Sequence, residues 1–454
     1  MISRRYTHLA AQAAVILVAG LAAAFGVTSL GSASAAGTSA PTPGIGLIKL
    51  GSSITSSNLT QYSMIIGDSA TAPSLAGLPG RTLAYFTGTD VQTNYSTGVP
   101  YVQAAANNWL LRDSAGNLLV NKGYSSDYVG DVGDAGYQQA WATNVLAYLA
   151  NHPGVKGVFV DDVIYDLKPL AGVEAAKYPT QSQWAAAQLS FVQYVGNALR
   201  SHGYYVLVNA SGYIPGDSNS DNGTNTVNWW KQVGPYVSGM MNEYFQETSN
   251  GTNTLRATGS SWTQNWDGWQ RLVTTAQSMG KDFVGLTYGG GANTNAMMYG
   301  KASFLLDWNG GGSVLMYAPM DSSDPWNSSW TSSIGTPAAA KQQVGSGWLR
   351  YYTQGVALVN PSAVSSQTFA LSGTYTTPSG TTTSSVTLAP TTAMILTSTG
   401  VAPTPTTTAS TTTTTASTST TSTTTTTSTP TTTTTITTAP EVHGNGKGKG
   451  KPTK

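Results

Sequence analysis

Two apolar segments of the chain run directly into acidic residues. Residues 157–160 lead into Asp161 and Asp162, and residues 239–242 lead into Glu243. The chain has only 20 acidic residues in 454, so acids placed at the ends of apolar segments stand out. Burying a carboxylate there is costly unless it is paired or used in chemistry. Two carboxylates about 5–10 Å apart, one protonated and one ionised, are what cleavage of a glycosidic bond requires.

The two aspartates cannot both face the same site. Side chains alternate along a strand, so Asp161 and Asp162 lie on opposite faces, and the alternation alone does not decide between them. Ordinary ion-paired or capping acids are the alternative interpretation of Asp161 and Glu243. No Lys or Arg is adjacent to either residue in the sequence, which favours the catalytic interpretation.

A repeated alternation of strands and helices provides the scaffold for these acids. Helix starts are predicted at Asp134, Thr180 and Asp267, since each can accept hydrogen bonds from the first turn. Eight short apolar or β-branched strands are predicted at 62–66, 82–87, 108–112, 155–163, 204–209, 238–245, 282–288 and 313–317.

This alternation predicts an α/β fold with a parallel sheet, and eight units match a closed (β/α)₈ barrel. The carboxyl ends of the fourth and sixth strands would then face one cavity. An open doubly wound sheet is the alternative, but the segment after the first predicted strand, residues 67–69, is not a Gly-rich turn.

The chain divides by composition into four parts. We predict a signal peptide at 1–36, a barrel at 45–345, a small antiparallel β domain at 346–400 and a disordered tail at 401–454. Arg4 and Arg5 precede an apolar segment, and the small residues at 33–36 offer a cleavage site. A membrane anchor is the alternative for this segment, and either the Sec or the twin-arginine route fits it. The Thr-rich tail ends in a basic run that could contact a cell wall.

Composition excludes several functional classes. The balance of 21 basic and 20 acidic residues leaves a net charge of +1, so no nucleic-acid partner is expected. The absence of cysteine excludes thiolate sites. None of the four histidines follows a predicted strand, so neither a His-based metal site nor a Ser–His hydrolase is expected. We predict a monomer that needs no cofactor or metal.

Further residues could bind the substrate. Aromatic faces suit the apolar face of a pyranose, and short polar groups can hold its hydroxyls, although each aromatic taken alone is also a plausible core residue. The set at or near predicted strand ends is Tyr85, Trp109, Asp113, Asp162, Asn209, Tyr244, Tyr288 and Tyr317.

Five segments together resemble a known family. These are residues 83–86, 108–113, 134–141, 157–163 and 242–243. They resemble the bacterial hypothetical glycoside hydrolase-like family 15, a (β/α)₈ group, over about residues 60–360. The layout is also similar to that of glycoside hydrolase family 114, the polygalactosaminidases.

The resemblance implies that Asp161 is the catalytic aspartate and Glu243 the acid/base. Asp162 stands where family 114 has Asn, so the galactosaminide substrate is not carried over.

The sequence therefore predicts a secreted glycosidase that acts on an extracellular or cell-wall polysaccharide through an Asp/Glu pair. The alternative is an inactive barrel that binds glycans at the cell surface. The sequence does not determine the sugar, the linkage, endo or exo action, or the stereochemical outcome.

Overall fold

The computed structural model describes residues 44–49, 58–93, 98–210, 214, 217, 223–247, 254–259, 265–289, 294–319 and 332–400. The predicted signal peptide and the predicted Thr-rich tail lie outside these ranges. Of the helices within them, none is both long enough and apolar enough to cross a membrane.

The strands are numbered in chain order. They are β1 (Gly44–Lys49), β2 (Met64–Asp68), β3 (Arg81–Thr87), β4 (Asp90–Gln92), β5 (Val120–Asn121), β6 (Tyr124–Val129), β7 (Gly157–Asp161), β8 (Tyr205–Asn209), β9 (Gly239–Glu243), β10 (Asp282–Gly289), β11 (Val314–Pro319), β12 (Gln342–Val344), β13 (Gly347–Tyr352), β14 (Gly355–Asn360), β15 (Gln367–Thr376), β16 (Thr382–Leu388) and β17 (Thr392–Ser398).

The helices are numbered in the same way. They are α1 (Tyr101–Ala106), α2 (Ala135–Asn151), α3 (Lys168–Ala171), α4 (Gln181–Ser201), α5 (Thr224–Val233), α6 (Trp266–Ser278) and α7 (Thr294–Asp307). Short 3₁₀ helices lie at Leu59–Gln61, Ala72–Leu75 and Gly234–Tyr236.

Eight parallel strands close into a barrel, which confirms the predicted (β/α)₈ fold. Their order around the barrel is β1-β11-β10-β9-β8-β7-β3-β2. Every neighbouring pair is parallel, so the carboxyl ends of all eight strands lie at one end of the barrel. That end is where barrel enzymes carry their chemistry.

One of the eight predicted strands is wrong, and one barrel strand was missed. Residues 108–112 form only isolated bridges, Leu110 to Gly130 and Arg112 to Leu118. Asn108 has a φ of +57°, which interrupts an extended conformation at the start of this apolar segment. The segment belongs to an insertion between β3 and α2 that also holds the antiparallel sheet β4-β6-β5.

The missed strand is β1, the first strand of the barrel in chain order. Its apolar pattern is interrupted by glycines, and Gly46 is there for a packing reason. A Cβ on Gly46 would lie 2.6 Å from Met316 Cε and 2.7 Å from Val314 Cγ1, so β1 approaches the side chains of β11 closely.

The predicted helix starts are confirmed at two of three positions. Asp134 accepts the N–H groups of Gly136 and Tyr137 at the start of α2, and Thr180 forms a capping box with Gln183 at the start of α4. α6 begins earlier than predicted because Asn265 caps it and Asp267 lies in its first turn.

The buried apolar residues form one cluster inside the barrel, a second between the barrel and its helices, and a third in the C-terminal sheet. The barrel interior is packed with large side chains such as Phe159, Met241 and Met316. A larger outer layer lies between the strands and the helices. The C-terminal strands form a six-stranded sheet of order β12-β13-β14-β17-β15-β16, which confirms the predicted antiparallel β region.

Candidate active site

The two predicted acids lie at the same end of the barrel. Asp161 is the last residue of β7 and Glu243 is the last residue of β9. Both are buried, with exposed fractions of 2% and 1%. Carboxylates so deeply buried must be satisfied by hydrogen bonds, and the structure provides them from neighbouring strands.

Asn209, the last residue of β8, lies between the two acids and donates to both. Its Nδ2 is 2.9 Å from Asp161 Oδ1 and 2.8 Å from Glu243 Oε2. Because one nitrogen contacts both oxygens, those oxygens are less than about 6 Å apart. Asn209 therefore fixes the spacing of the carboxylate pair.

Two tyrosines extend this arrangement on either side. Tyr85 on β3 donates its hydroxyl to Asp161 Oδ2 at 2.7 Å, and Tyr288 on β10 donates to Glu243 Oε1 at 3.0 Å. The five side chains come from β3, β7, β8, β9 and β10, which are consecutive around the barrel. A continuous chain of hydrogen bonds thus runs from Tyr85 to Tyr288 across five neighbouring strands.

The environment of Glu243 favours its protonated form. Burial raises the pKa of Glu243 above its usual value, and the nearby charge of Asp161 raises it further. The hydrogen bond from Asn209 opposes this by stabilising the carboxylate. Burial and the charge of Glu243 also hold the pKa of Tyr288 well above 10, so that hydroxyl keeps its proton.

Asp161 is surrounded by donors. It accepts from Tyr85 and Asn209, and the N–H of Asp162 donates to Asp161 Oδ1 at 3.0 Å. Three donors thus satisfy the acceptor oxygens of this buried carboxylate. The two acids therefore have different surroundings, as an acid and a nucleophile or base require.

The two adjacent aspartates have different hydrogen bonds. The carboxylate of Asp161 accepts from Tyr85 and Asn209, which lead to Glu243. The backbone carbonyl of Asp162 accepts from the Thr89 hydroxyl at 2.6 Å.

The remaining predicted site residues fall into three groups. Tyr244 follows Glu243 and is half-buried, with its ring centroid 4.9 Å from that of Tyr288 and its side chain against the barrel interior. Tyr317 is fully buried in the outer layer, because strand alternation turns Met316 inward and Tyr317 toward the helices.

Trp109 and Asp113 lie in the insertion after β3 and not, as was predicted, at the end of a barrel strand. Trp109 packs edge-on against Tyr137, with ring centroids 6.1 Å apart. The carboxylate of Asp113 accepts from the backbone and side chain of Asn117 within its own turn. These contacts do not connect either residue to Asp161 or Glu243.

Sequence reasoning missed a group of buried polar residues around the two acids: Thr89, Gln188 and Arg256. Arg256 has an exposed fraction of 4%, lies 4.1 Å from the centroid of the Trp269 ring and donates to the carbonyl of Tyr244 at 3.4 and 3.5 Å. Burial lowers the pKa of Arg256 to about 9. No motif marks these residues, because their partners are distant in the sequence.

No metal site is evident in the part of the chain that the structure describes. Within the ranges given above, no three His, Asp or Glu side chains are grouped so that they could hold an ion.

A closed parallel barrel with a buried carboxylate pair at the carboxyl ends of its strands is an architecture that many glycoside hydrolases share. Residues 82–356, more than half of the chain, match the profile of hypothetical glycosyl hydrolase family 15. The chain belongs to this family.

Solved structures with a similar fold include several carbohydrate-active enzymes. Ega3 of Aspergillus fumigatus, complexed with galactosamine, is 13% identical, with a TM-score of 0.38 over 62% of this chain and 93% of that one. The maltogenic α-amylase AmyB of Thermotoga neapolitana is 9% identical, with a TM-score of 0.43 over 78% and 98%.

The family 31 dextranase FjDex31A of Flavobacterium johnsoniae is 11% identical, with a TM-score of 0.43 over 79% of this chain and 52% of that one. At such low similarity these structures carry no information about the substrate of this chain. No curated protein matches it.

Proposed function

We propose that this protein is a secreted, retaining glycoside hydrolase that cleaves an O-glycosidic bond in an extracellular or cell-wall polysaccharide. Asp161 is the nucleophile and Glu243 is the acid/base. The observation that carries the proposal is the buried carboxylate pair bridged by the single amide of Asn209.

The spacing of the pair supports a retaining mechanism. Retaining enzymes place their carboxyl groups about 5–5.5 Å apart, whereas inverting enzymes leave about 6.5–9.5 Å for a water molecule. The bridged oxygens of Asp161 and Glu243 are less than about 6 Å apart, which leaves little room for that water.

The surroundings of each acid support its role. Burial raises the pKa of Glu243, which favours the protonated form that an acid needs to give a proton to the leaving oxygen. Asp161, whose carboxylate is held in place by three donors, attacks the anomeric carbon and forms a glycosyl ester. Glu243, now ionised, takes a proton from water, which hydrolyses the ester and releases Asp161.

Secretion and the polymeric substrate are supported by the sequence. The N-terminal segment has the basic start, apolar middle and small-residue end of a signal peptide. The Thr-rich C-terminal segment is typical of a spacer in an exported protein that works at or outside the cell surface.

The test is a screen of the purified protein against a polysaccharide array, with new reducing ends as the readout. We expect at least one polysaccharide to be cleaved by the wild type and by the control variant Asp134→Asn. The control makes the same chemical change at a helix cap that Asn can also provide.

Asp161→Asn and Glu243→Gln should lose most of this activity, since loss of general acid catalysis alone costs about 10²–10⁴ in rate. Binding of a polysaccharide without any cleavage would favour the alternative of an inactive glycan-binding barrel.

A further inference from the structure

The residue after each carboxylate has an unusual backbone conformation. Asp162 has a φ of +59° and Tyr244 a φ of +61°. Residues other than glycine seldom adopt this left-handed region, and they remain there only where the surrounding structure holds them. Both residues directly follow the acids assigned to catalysis, so the conformation coincides with the ends of the two strands that carry the site.

The peptide groups before and after the Cα of Asp162 each form hydrogen bonds through both their carbonyl and their N–H. In the first, the carbonyl of Asp161 accepts from the N–H of Gly88 at 2.9 Å, and the N–H of Asp162 donates to Asp161 Oδ1. In the second, the carbonyl of Asp162 accepts from Thr89, and the N–H of Val163 donates to the carbonyl of Asn209 at 3.2 Å. The backbone conformation is thereby tied to the position of the Asp161 carboxylate.

Thr89 and Gln188 form the part of this arrangement that lies behind the strand. Both are fully buried, and the amide of Gln188 donates to Thr89 Oγ1 and, at 3.4 Å, to the carbonyl of Asp162. A hydroxyl has a single proton. Because Gln188 donates to the oxygen of Thr89, the proton of Thr89 is directed to the carbonyl of Asp162.

The Glu243 side of the site has a related arrangement. Tyr244 also has a left-handed backbone conformation, and its carbonyl accepts from the buried guanidinium of Arg256. A left-handed residue with its carbonyl held by a buried side chain therefore occurs after both acids, which argues against a local accident at Asp162.

We propose that Thr89 and Gln188 are positioning residues for Asp161. They hold Asp162 in the left-handed conformation, which keeps the N–H of Asp162 on the Asp161 carboxylate and directs that carboxylate toward Tyr85 and Asn209. The catalytic consequence rests on the proposed function, whereas the effect on the conformation of the site does not.

The test compares Thr89→Val in two backgrounds. Valine keeps the shape of threonine but removes the hydroxyl. In the wild-type background, the carbonyl of Asp162 then loses the shorter of its two side-chain hydrogen bonds and keeps only the 3.4 Å contact from Gln188. In the Asp162→Gly background, the left-handed conformation carries no steric penalty, so the loss of Thr89 should matter less. Any direct role of the Asp162 side chain cancels, because it is absent from both members of the second pair.

Thr87→Val is the matched control. Thr87 is buried on the same segment and also donates to a backbone carbonyl at 2.6 Å, but that carbonyl belongs to Asp90. Thr89→Ser, which retains the hydroxyl, is the conservative variant and should preserve the arrangement.

The first readout is the crystal structure of each unliganded variant. In Thr89→Val we expect residue 162 to leave the left-handed region and Asp161 to lose its bond to Tyr85 or Asn209. We expect both features to be kept in Thr89→Ser and in Thr87→Val. An Asp161 carboxylate that stays in place in Thr89→Val would overturn the proposal, whatever the enzyme cleaves.

The second readout is kcat and KM for the 2,4-dinitrophenyl glycoside of the sugar that the polysaccharide screen identifies. Misplacement of a reacting group by about 1 Å can cost about 10²-fold in rate. We expect Thr89→Val to lower kcat by about 10- to 100-fold in the wild-type background, by a clearly smaller factor in the Asp162→Gly background, and to change KM little in either.

Thr87→Val should have the same small effect on kcat in both backgrounds. Equal losses from Thr89→Val in the two backgrounds would overturn the positioning role while leaving the glycosidase intact. A wild type that cleaves nothing would overturn the proposed function, and the crystal structures would still decide the positioning.

Discussion

Replacement of Asn209 by alanine tests the bridge between the two carboxylates. The variant removes two hydrogen bonds, of 2.9 Å to Asp161 and 2.8 Å to Glu243, from a site that is almost fully buried. Asp161 keeps the donors Tyr85 and Asp162, so we count the loss as about one bond to a charged acceptor. Such a bond is worth about 1.5–3 kcal/mol. We therefore expect kcat to fall by about 10- to 150-fold, with a smaller change in KM.

The pH profile of Asn209→Ala should also change in a defined direction. Burial raises the pKa of Glu243, the charge of Asp161 raises it further, and the hydrogen bond from Asn209 lowers it. Without Asn209 the two raising effects remain, so Glu243 should hold its proton to higher pH. Since the acid must be protonated to act, the basic limb of the kcat profile should move to higher pH.

The matched control is Asn121→Ala. Asn121 is buried to a similar degree and donates to the carboxylate of Asp90 at 2.9 Å, in the insertion rather than at the acid pair. This variant tests the general cost of removing a buried Asn–Asp bond. A basic limb that stays in place or moves to lower pH in Asn209→Ala, or a kcat loss no larger than that of Asn121→Ala, would refute the role given to the bridge.

Three further predictions follow from the site and the sequence. Glu243→Gln should retain more activity on an activated aryl glycoside than on a polysaccharide, whereas Asp161→Asn should be inactive on both; equal residual rates would contradict the roles. Tyr244→Ala should raise KM or lower kcat with an unchanged far-UV circular dichroism spectrum, and global unfolding would instead make Tyr244 a core residue. A chain that ends at Gly400 should melt at nearly the temperature of the full chain by calorimetry, and a large decrease would show that the tail contributes to the fold.

Glu243 should also destabilise the folded protein at high pH. Because burial raises its pKa, the folded state binds more protons than the unfolded chain between the two pKa values, and stability falls as pH rises through that interval. Glu243→Gln cannot ionise. Its melting temperature should exceed that of the wild type at about pH 8 and match it at about pH 4. The same difference at both pH values would contradict the raised pKa.

The acid pair could be predicted because the sequence contains so few acids. Asp161 and Glu243 each end an apolar strand, and parallel strands bring such ends to one place. Asn209, Tyr85 and Tyr288 were predicted by the same reasoning, and they lie on the strands next to those of the acids. Their hydrogen-bond order across five strands depends on the barrel closing and could not be read from local sequence.

The errors in the fold have local causes. Strand β1 was not predicted because glycines interrupt its apolar pattern. Residues 108–112 were predicted as a strand because they are apolar, although the first of them has a left-handed backbone conformation. Because residues 108–112 are not a barrel strand, the predicted positions of Trp109 and Asp113 at the end of such a strand were also wrong. The orientation of Tyr317 could have been predicted, because side chains alternate along a strand and Tyr317 therefore faces the helices when Met316 faces the barrel interior.

The positioning residues could not be found from the sequence. Thr89 is 73 residues from Asp162, and Gln188 is 99 residues from Thr89. Thr89 lies in a loop and Gln188 in a helix, where neither residue type stands out, so the local sequence gives no signal of their contact. Only the closure of the barrel and the packing of α4 against it bring the two residues to the carbonyl of Asp162.

The central claim is that Asp161 forms a covalent bond to the sugar, and a trapping experiment tests it most directly. The wild type is incubated with the 2-deoxy-2-fluoro glycosyl fluoride of the sugar identified in the screen, and peptide mass mapping locates the adduct. The account predicts one glycosyl group on Asp161, present in the Asp134→Asn control and absent from Asp161→Asn. An adduct on another acid such as Asp162 or Glu247, or cleavage of the substrate with inversion and no adduct, would contradict it.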